Sequence, residues 1–82
     1  MRLDKYLKVS RLVKRRTVAN EACDAGRVKV NAKPARASCS VKPGDVIEIS
    51  LGGHSIEVKV LDVDEYATKA GASLLYEVLS EK

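Results

Sequence analysis

Apolar positions follow two periods along the chain, close to 3.6 residues up to Ala25 and close to two from Val28 onward. With Leu3 at zero on a wheel of about 100° per residue, Leu7 falls near 40° and Tyr6 near 300°, whereas Arg2, Lys5 and Lys8 fall near 260°, 200° and 140°. The first helix therefore has an apolar face and an opposed basic face. On an unbroken helix, Arg11 and Lys14 would rotate to about 80° and 20°, onto the apolar side, so the helix is expected to break near Ser10. Leu12 and Val13 then anchor the turn in the core. Thr17 reads as the N-cap of a second helix and Gly26 as its left-handed C-cap, with Val18, Ala22 and Ala25 as the inward stripe and Glu21 and Asp24 outside.

After Gly26 the pattern becomes that of strands. Val28 and Val30 alternate with Arg27 and Lys29, and Asn31 to Pro34 forms a turn. Val41-Lys42-Pro43-Gly44-Asp45 is a Pro-Gly turn leading into Val46 to Ile49; Gly52-Gly53 then connects to a strand over His54 to Leu61. Ala67 to Ser73 reads as small and flexible, and Leu74 to Leu79 as either a last strand or a short helix. The expected fold class is α+β: two short N-terminal helices packed on a small, mostly antiparallel β-sheet, in one domain spanning residues 1–82.

Eighty-two residues suffice for one modest core, built here from Val, Leu, Ile and Ala because there is no Trp or Phe and only three Tyr. A deep enclosed active site is not expected. Nothing offers an acid pair or a nucleophile with a His partner, and His54 reads as an exposed turn residue, so the chain is not expected to be an enzyme or to need a cofactor. Cys23 and Cys39 form no C-x-x-C pair and read as free thiols, and with His54 they supply too few ligands for zinc. No apolar run approaches the roughly 18 residues of a membrane span, and the N-terminus has no signal-peptide core, which points to the cytoplasm.

Charge changes the picture more than composition does. The net charge is +4, but residues 1–17 hold seven basic residues against one acid for +6, residues 18–44 carry +3, and residues 45–82 carry −5. Such asymmetry points to a polyanionic partner. Lys14, Arg15 and Arg16 immediately precede the second helix, whose free N–H groups and positive dipole end favour phosphate. Short helices, acids on the outer side of the second helix and few aromatics favour structured RNA over a DNA groove or a single strand.

Four landmarks now carry a family resemblance: Arg2-Leu3-Asp4-Lys5-Tyr6-Leu7; Lys14-Arg15-Arg16-Thr17-x-Ala19; Gly26-Arg27-Val28-x-Val30-Asn31; and Lys42-Pro43-Gly44-Asp45-x-Ile47. In this order they resemble the S-four RNA-binding domain, or αL motif, over residues 1 to about 50. Residues 51–61 would be a hairpin strand extension and 62–82 a C-terminal segment. A free-standing chain of this length most resembles the family's ribosome-associated quality-control branch, the small relatives of the fifteen-kilodalton heat-shock protein. That resemblance implies binding to rRNA and peptidyl-tRNA on a large ribosomal subunit whose nascent chain is obstructed. It also implies support for tailing of that chain by a partner factor; the chain itself is expected to be a monomer.

The resemblance implies an RNA-facing set of Arg2, Lys5, Lys8, Arg11, Arg15, Arg16 and Thr17, completed by Asn31, Lys33 and Arg36, and the charge run before the second helix adds Lys14. Asp4 matches a family acid expected to orient a neighbouring arginine. The family usually has Asn-Gly where this chain has Asn31-Ala32; a left-handed Ala there costs about 1 to 2 kcal/mol, so the turn either relaxes or bears strain. Two other readings are an accessory domain of an RNA-modifying enzyme such as a pseudouridine synthase, and a peripheral membrane binder. For the latter the apolar face of Leu3, Tyr6 and Leu7 is too narrow.

Overall fold

The computed structural model describes residues 1–64, 69–72 and 74–81. Helix α1 (Leu3–Val9) buries Leu3, Tyr6 and Leu7 completely and leaves Arg2 and Lys8 exposed, as its two-faced pattern requires. Its first turn is tied to a distant segment: the Leu3 amide donates to the Cys39 carbonyl (2.7 Å), the Asp4 amide to Ala37 (3.2 Å), and Arg2 bridges to Ser40. Two of the amides a helix start normally leaves open are thus paired. The helix stops at Ser10, beyond which Arg11 sits in the left-handed region (φ +63°) and donates to the Lys8 carbonyl. That reversal lets Val13 return to the core while Arg11 and Lys14 stay exposed.

Helix α2 spans Arg16–Asp24. Its N-cap is Arg15, in extended conformation, and no side chain caps it; Thr17, the expected cap, lies in the first turn. A tertiary contact moves the start, because Arg16 is held by Asp4 of α1 (3.2 Å) and the Ala19 amide closes the first turn on the Arg15 carbonyl. At the other end Ala25 is the C-cap and Gly26 follows at φ +77°. The Gly26 amide bonds to Cys23 and the Arg27 amide to Ala22, a Schellman motif for which glycine's left-handed freedom is required. The buried face also differs from the expected stripe. Ala19, Ala22 and Cys23 face inward, whereas Val18 is 43% exposed and Ala25 is exposed. The helix is rotated so that the small residues at 19, 22 and 23 pack closely on α1, an orientation in which Arg16 also reaches Asp4.

The strands β1 (Val28–Val30), β2 (Lys33–Pro34), β3 (Val46–Leu51), β4 (His54–Val60) and β5 (Tyr76–Glu81) form one sheet in the order β2-β1-β3-β4-β5, antiparallel throughout. In the turn joining β1 to β2, Asn31 and Ala32 both have positive φ (+53° and +68°). Both values belong to a type I′ hairpin turn, so the strain at Ala32 is borne and Lys33 is paired with Val30. Gly52-Gly53 closes the β3–β4 hairpin, and His54, exposed, opens β4 opposite Leu51. The ambiguous segment after Leu74 is a strand from Tyr76 onward. Within the stretch read as flexible, Lys69–Ala72 form a short helix, α3; Ala67, Thr68 and Ser73 lie outside the described residues.

One face of the sheet carries Val28, Val30, Ile47, Ile49, Val58 and Val60, all buried against α1 and α2. The other face carries Lys29, Glu48, Glu57 and Lys59. Tyr6 links the two ends of the chain: its hydroxyl donates to the Leu75 carbonyl at 2.6 Å, an oxygen that also accepts the Leu61 and Asp62 amides. Burial, with smaller effects of Tyr76 and Asp62, pushes the Tyr6 hydroxyl pKa upward, so it remains a donor.

Candidate nucleic-acid interface

The interface is organised around one buried carboxylate. Asp4 is 2% exposed, and its oxygens accept from Arg2 Nε (3.2 Å) and Nη2 (3.4 Å), the Lys5 backbone N–H (2.8 Å), Arg16 Nε (3.2 Å) and Asn20 Nδ2 (3.4 Å). Burial alone would raise its pKa. Hydrogen bonds from Arg16, Asn20 and the Lys5 amide, together with the Arg16 charge, outweigh burial and hold the carboxyl below the usual carboxylate range. Asp4 is therefore ionised at neutral pH.

This arrangement brings the start of α1 and the start of α2 together. Arg16 meets Asp4 through Nε and Arg2 through Nε and Nη2, and the Arg2 and Arg16 side chains remain 52% and 48% exposed. Holding an arginine by Nε reduces the rotamer freedom lost when its other nitrogens meet a phosphate. Beside the cluster lies a shallow hollow of about 360 Å³ lined by Asp4, Arg16, Thr17, Asn20 and Glu21. Lys14 and Arg15 border a second hollow of about 530 Å³ whose floor is Leu12, Val13 and Val18.

The other expected residues are less tightly grouped. Lys8 and Arg11 are exposed where α1 ends, and Arg36 is exposed in the segment that docks on the start of α1. Lys33 is exposed on β2, at one edge of the sheet. Asn31 plays a structural part, since its carboxamide donates to Asp45 (3.1 Å) and accepts the Val46 amide (3.0 Å). Asp45, buried, also accepts the Lys42 amide, which locks the Pro43-Gly44 turn onto the β1–β2 hairpin. Asn20, absent from the expected set, joins the Asp4 cluster. Its spacing one turn beyond Arg16 on the same helix face is the signal in the sequence that points to it.

Neither cysteine is paired. Burial, with the nearby Asp4 and Asp24 carboxylates and Cys39, pushes the Cys23 thiol up to about 11, so it is inert at neutral pH.

Residues 1–47 match the S4 domain, the stretch that carries the Asp4 cluster, α2 and the Asn31 clasp. The chain belongs to the S4 domain family. A relative from Streptococcus pneumoniae named RQC P-site tRNA stabilizing factor is 51% identical over 81 residues, covering 99% of this chain and 92% of the relative. A relative of the same name from Halalkalibacterium halodurans is 50% identical over 82 residues, covering all of this chain and 93% of the relative. Among solved structures, the trimeric heat shock protein 15 of Vibrio cholerae superposes with a TM-score of 0.89 at 27% identity, over 98% of this chain and 82% of that one. The S4 match ends within β3, whereas the named relatives align through β4 and β5 as well.

Proposed function

We propose that this S4 protein is a non-enzymatic RNA-binding factor of ribosome-associated quality control. It binds rRNA and tRNA on large ribosomal subunits carrying obstructed peptidyl-tRNA, and it steadies the P-site tRNA while a partner factor tails the nascent chain. The observation that carries this reading is the Asp4 cluster: a buried carboxylate holds Arg2 and Arg16, whose side chains stay about half exposed, in a chain that aligns over 99% of its length with a relative named for P-site tRNA stabilisation. Phosphates are the target of such a surface.

In this reading residues 1–50 form the RNA-binding unit, 51–61 extend its sheet, and 62–82 are a C-terminal segment in which Leu75 anchors Tyr6 of α1. The RNA-facing set is Arg2, Lys5, Lys8, Arg11, Lys14, Arg15, Arg16 and Thr17, with Lys33 and Arg36 at the rim. Asn31 shapes the rim from behind. The protein acts in the cytoplasm on the ribosome; among the described residues no helix is long and apolar enough to cross a membrane.

Binding of the purified protein to large subunits bearing peptidyl-tRNA, measured against salt, tests the reading. With about five phosphates contacted, the log–log slope lies near −3.5 to −4.5, and affinity falls by roughly two orders of magnitude between 50 and 200 mM salt. Arg16→Ala weakens association more than Lys59→Ala, because Lys59 is exposed on the outer face of the sheet. Salt-independent affinity, or equal effects of the two variants, contradicts the phosphate surface.

A further inference from the structure

The sheet ends on β5, and among the described residues nothing pairs with the outer edge of that strand. An open edge presents a row of backbone N–H and C=O groups to any extended chain, and proteins blunt it against like copies with charged side chains, above all lysine, with proline or with a bulge; here the charges are acidic, which deters a second copy but suits a basic partner. Tyr76–Glu81 contains no lysine or proline and two glutamates. Four of the large exposed apolar side chains gather here: Leu61 and Leu74 beside the start of the strand, and Val78 and Leu79 within it, at 47% and 45% exposure. The register shift at Glu57/Val58 leaves Leu79 without an opposite residue on β4.

The chemistry of the edge is acidic as well as apolar. Glu77 and Glu81 lie on β5, Glu57 lies on β4 opposite Ser80, and Asp62 donates its amide to Leu75 just before the strand. Lys59, opposite Glu77, is the one Lys or Arg on either strand.

We propose that the β5 edge is a docking site for an extended peptide segment of a protein partner, in which basic and apolar residues alternate. Backbone pairing along β5 would continue the sheet. The pleat gives the alternation: on one face the partner's side chains lie beside Glu77 and Ser80, where lysine or arginine is favoured, and on the other beside Tyr76 and Val78, where apolar residues are favoured. A second copy of this chain is a poor occupant, because it brings the same acids to the same edge and sets like charges together. RNA is repelled by the same acids.

The test is titration of the full-length protein with the synthetic peptide acetyl-(Lys-Val)4-amide, followed by backbone amide NMR and hydrogen exchange. The expected result is saturable shifts and slowed exchange confined to β5 and its flanks, with acetyl-(Glu-Val)4-amide inactive. The double substitution Glu77→Gln with Glu57→Gln, on the face that Glu77 and Ser80 share, with its spectrum otherwise unchanged, should weaken the peptide at least fivefold, and Arg16→Ala should not alter it. The inference is overturned by shifts centred on α1 and α2, by equal binding of both peptides, by no saturable change at β5, or by a dimer forming through β5 as protein concentration rises. Because Arg16→Ala is the variant that disables the RNA surface, failure of one reading leaves the other intact.

Discussion

Replacing Asp4 by Asn keeps the shape of the side chain and removes the charge that gathers Arg2, Arg16 and Asn20. An amide cannot accept all five hydrogen bonds, and its NH2 group must face donors. The two arginines are about half exposed, so each ion pair is worth only about 0.5–1 kcal/mol after solvent screening. The 2.8 Å bond from the Lys5 amide to a buried carboxylate adds about 1 kcal/mol. The expected loss is about 2–3 kcal/mol against a total stability of about 4–12 kcal/mol for a chain of this size, so the variant folds. Thermal unfolding by circular dichroism at pH 7 should show Tm lowered by about 8–24 °C. The pH dependence has a definite sign. Asp4 has a folded-state pKa lower than its unfolded value, so its contribution is full above the unfolded value of about 3.9 and disappears as pH falls through the folded value. The gap between wild type and Asp4→Asn should therefore narrow between pH 5 and pH 2. A Tm within 2 °C of wild type at pH 7, or a gap independent of pH, refutes the role given to the carboxylate.

Ala32→Gly should raise stability by about 0.5–1 kcal/mol, since it relieves a left-handed strain of about 1–2 kcal/mol and gives back part of it in unfolded-chain entropy; a lower Tm would mean the turn is not strained. Tyr6→Phe removes a buried 2.6 Å hydrogen bond but leaves the Leu75 carbonyl two other donors, so the cost is about 0.5–1.5 kcal/mol; an unchanged Tm would show that the bond does not hold the C-terminal segment to α1. In the native protein at pH 7.5, iodoacetamide should alkylate Cys39, which is partly exposed, at least about tenfold faster than buried Cys23 with its raised pKa; equal rates would contradict the buried, protonated thiol.

Much of this fold was legible because its signals are local. The wheel positions of Leu3, Tyr6 and Leu7 predict the buried face of α1, Gly26 marks the end of α2, and the Gly-Gly pair marks the β3–β4 turn. What was not legible depends on contacts distant in sequence. The start and rotation of α2 go with contacts to α1, the packing of Ala19, Ala22 and Cys23 and the reach of Arg16 to Asp4 twelve residues away, which leave Thr17 in the first turn and Val18 outward. Asn31 reads as a rim residue because its clasp on Asp45 and Val46 exists only once β1 and β3 have paired. The last strand was ambiguous because an edge strand buries little and leaves only a weak period-two pattern. At the candidate site, the basic residues were visible as a charge run, whereas the carboxylate that fixes two of them is a single acid whose importance lies in its burial.

The most direct test is cross-linking of the native protein in cells with mapping of the RNA attached, comparing wild type with Arg16→Ala. Wild-type cross-links are expected on large-subunit rRNA and on P-site tRNA, with both depleted in the variant. Cross-links spread over bulk RNA, or a wild-type pattern retained by Arg16→Ala, would contradict the P-site RNA surface built on Asp4, Arg2 and Arg16.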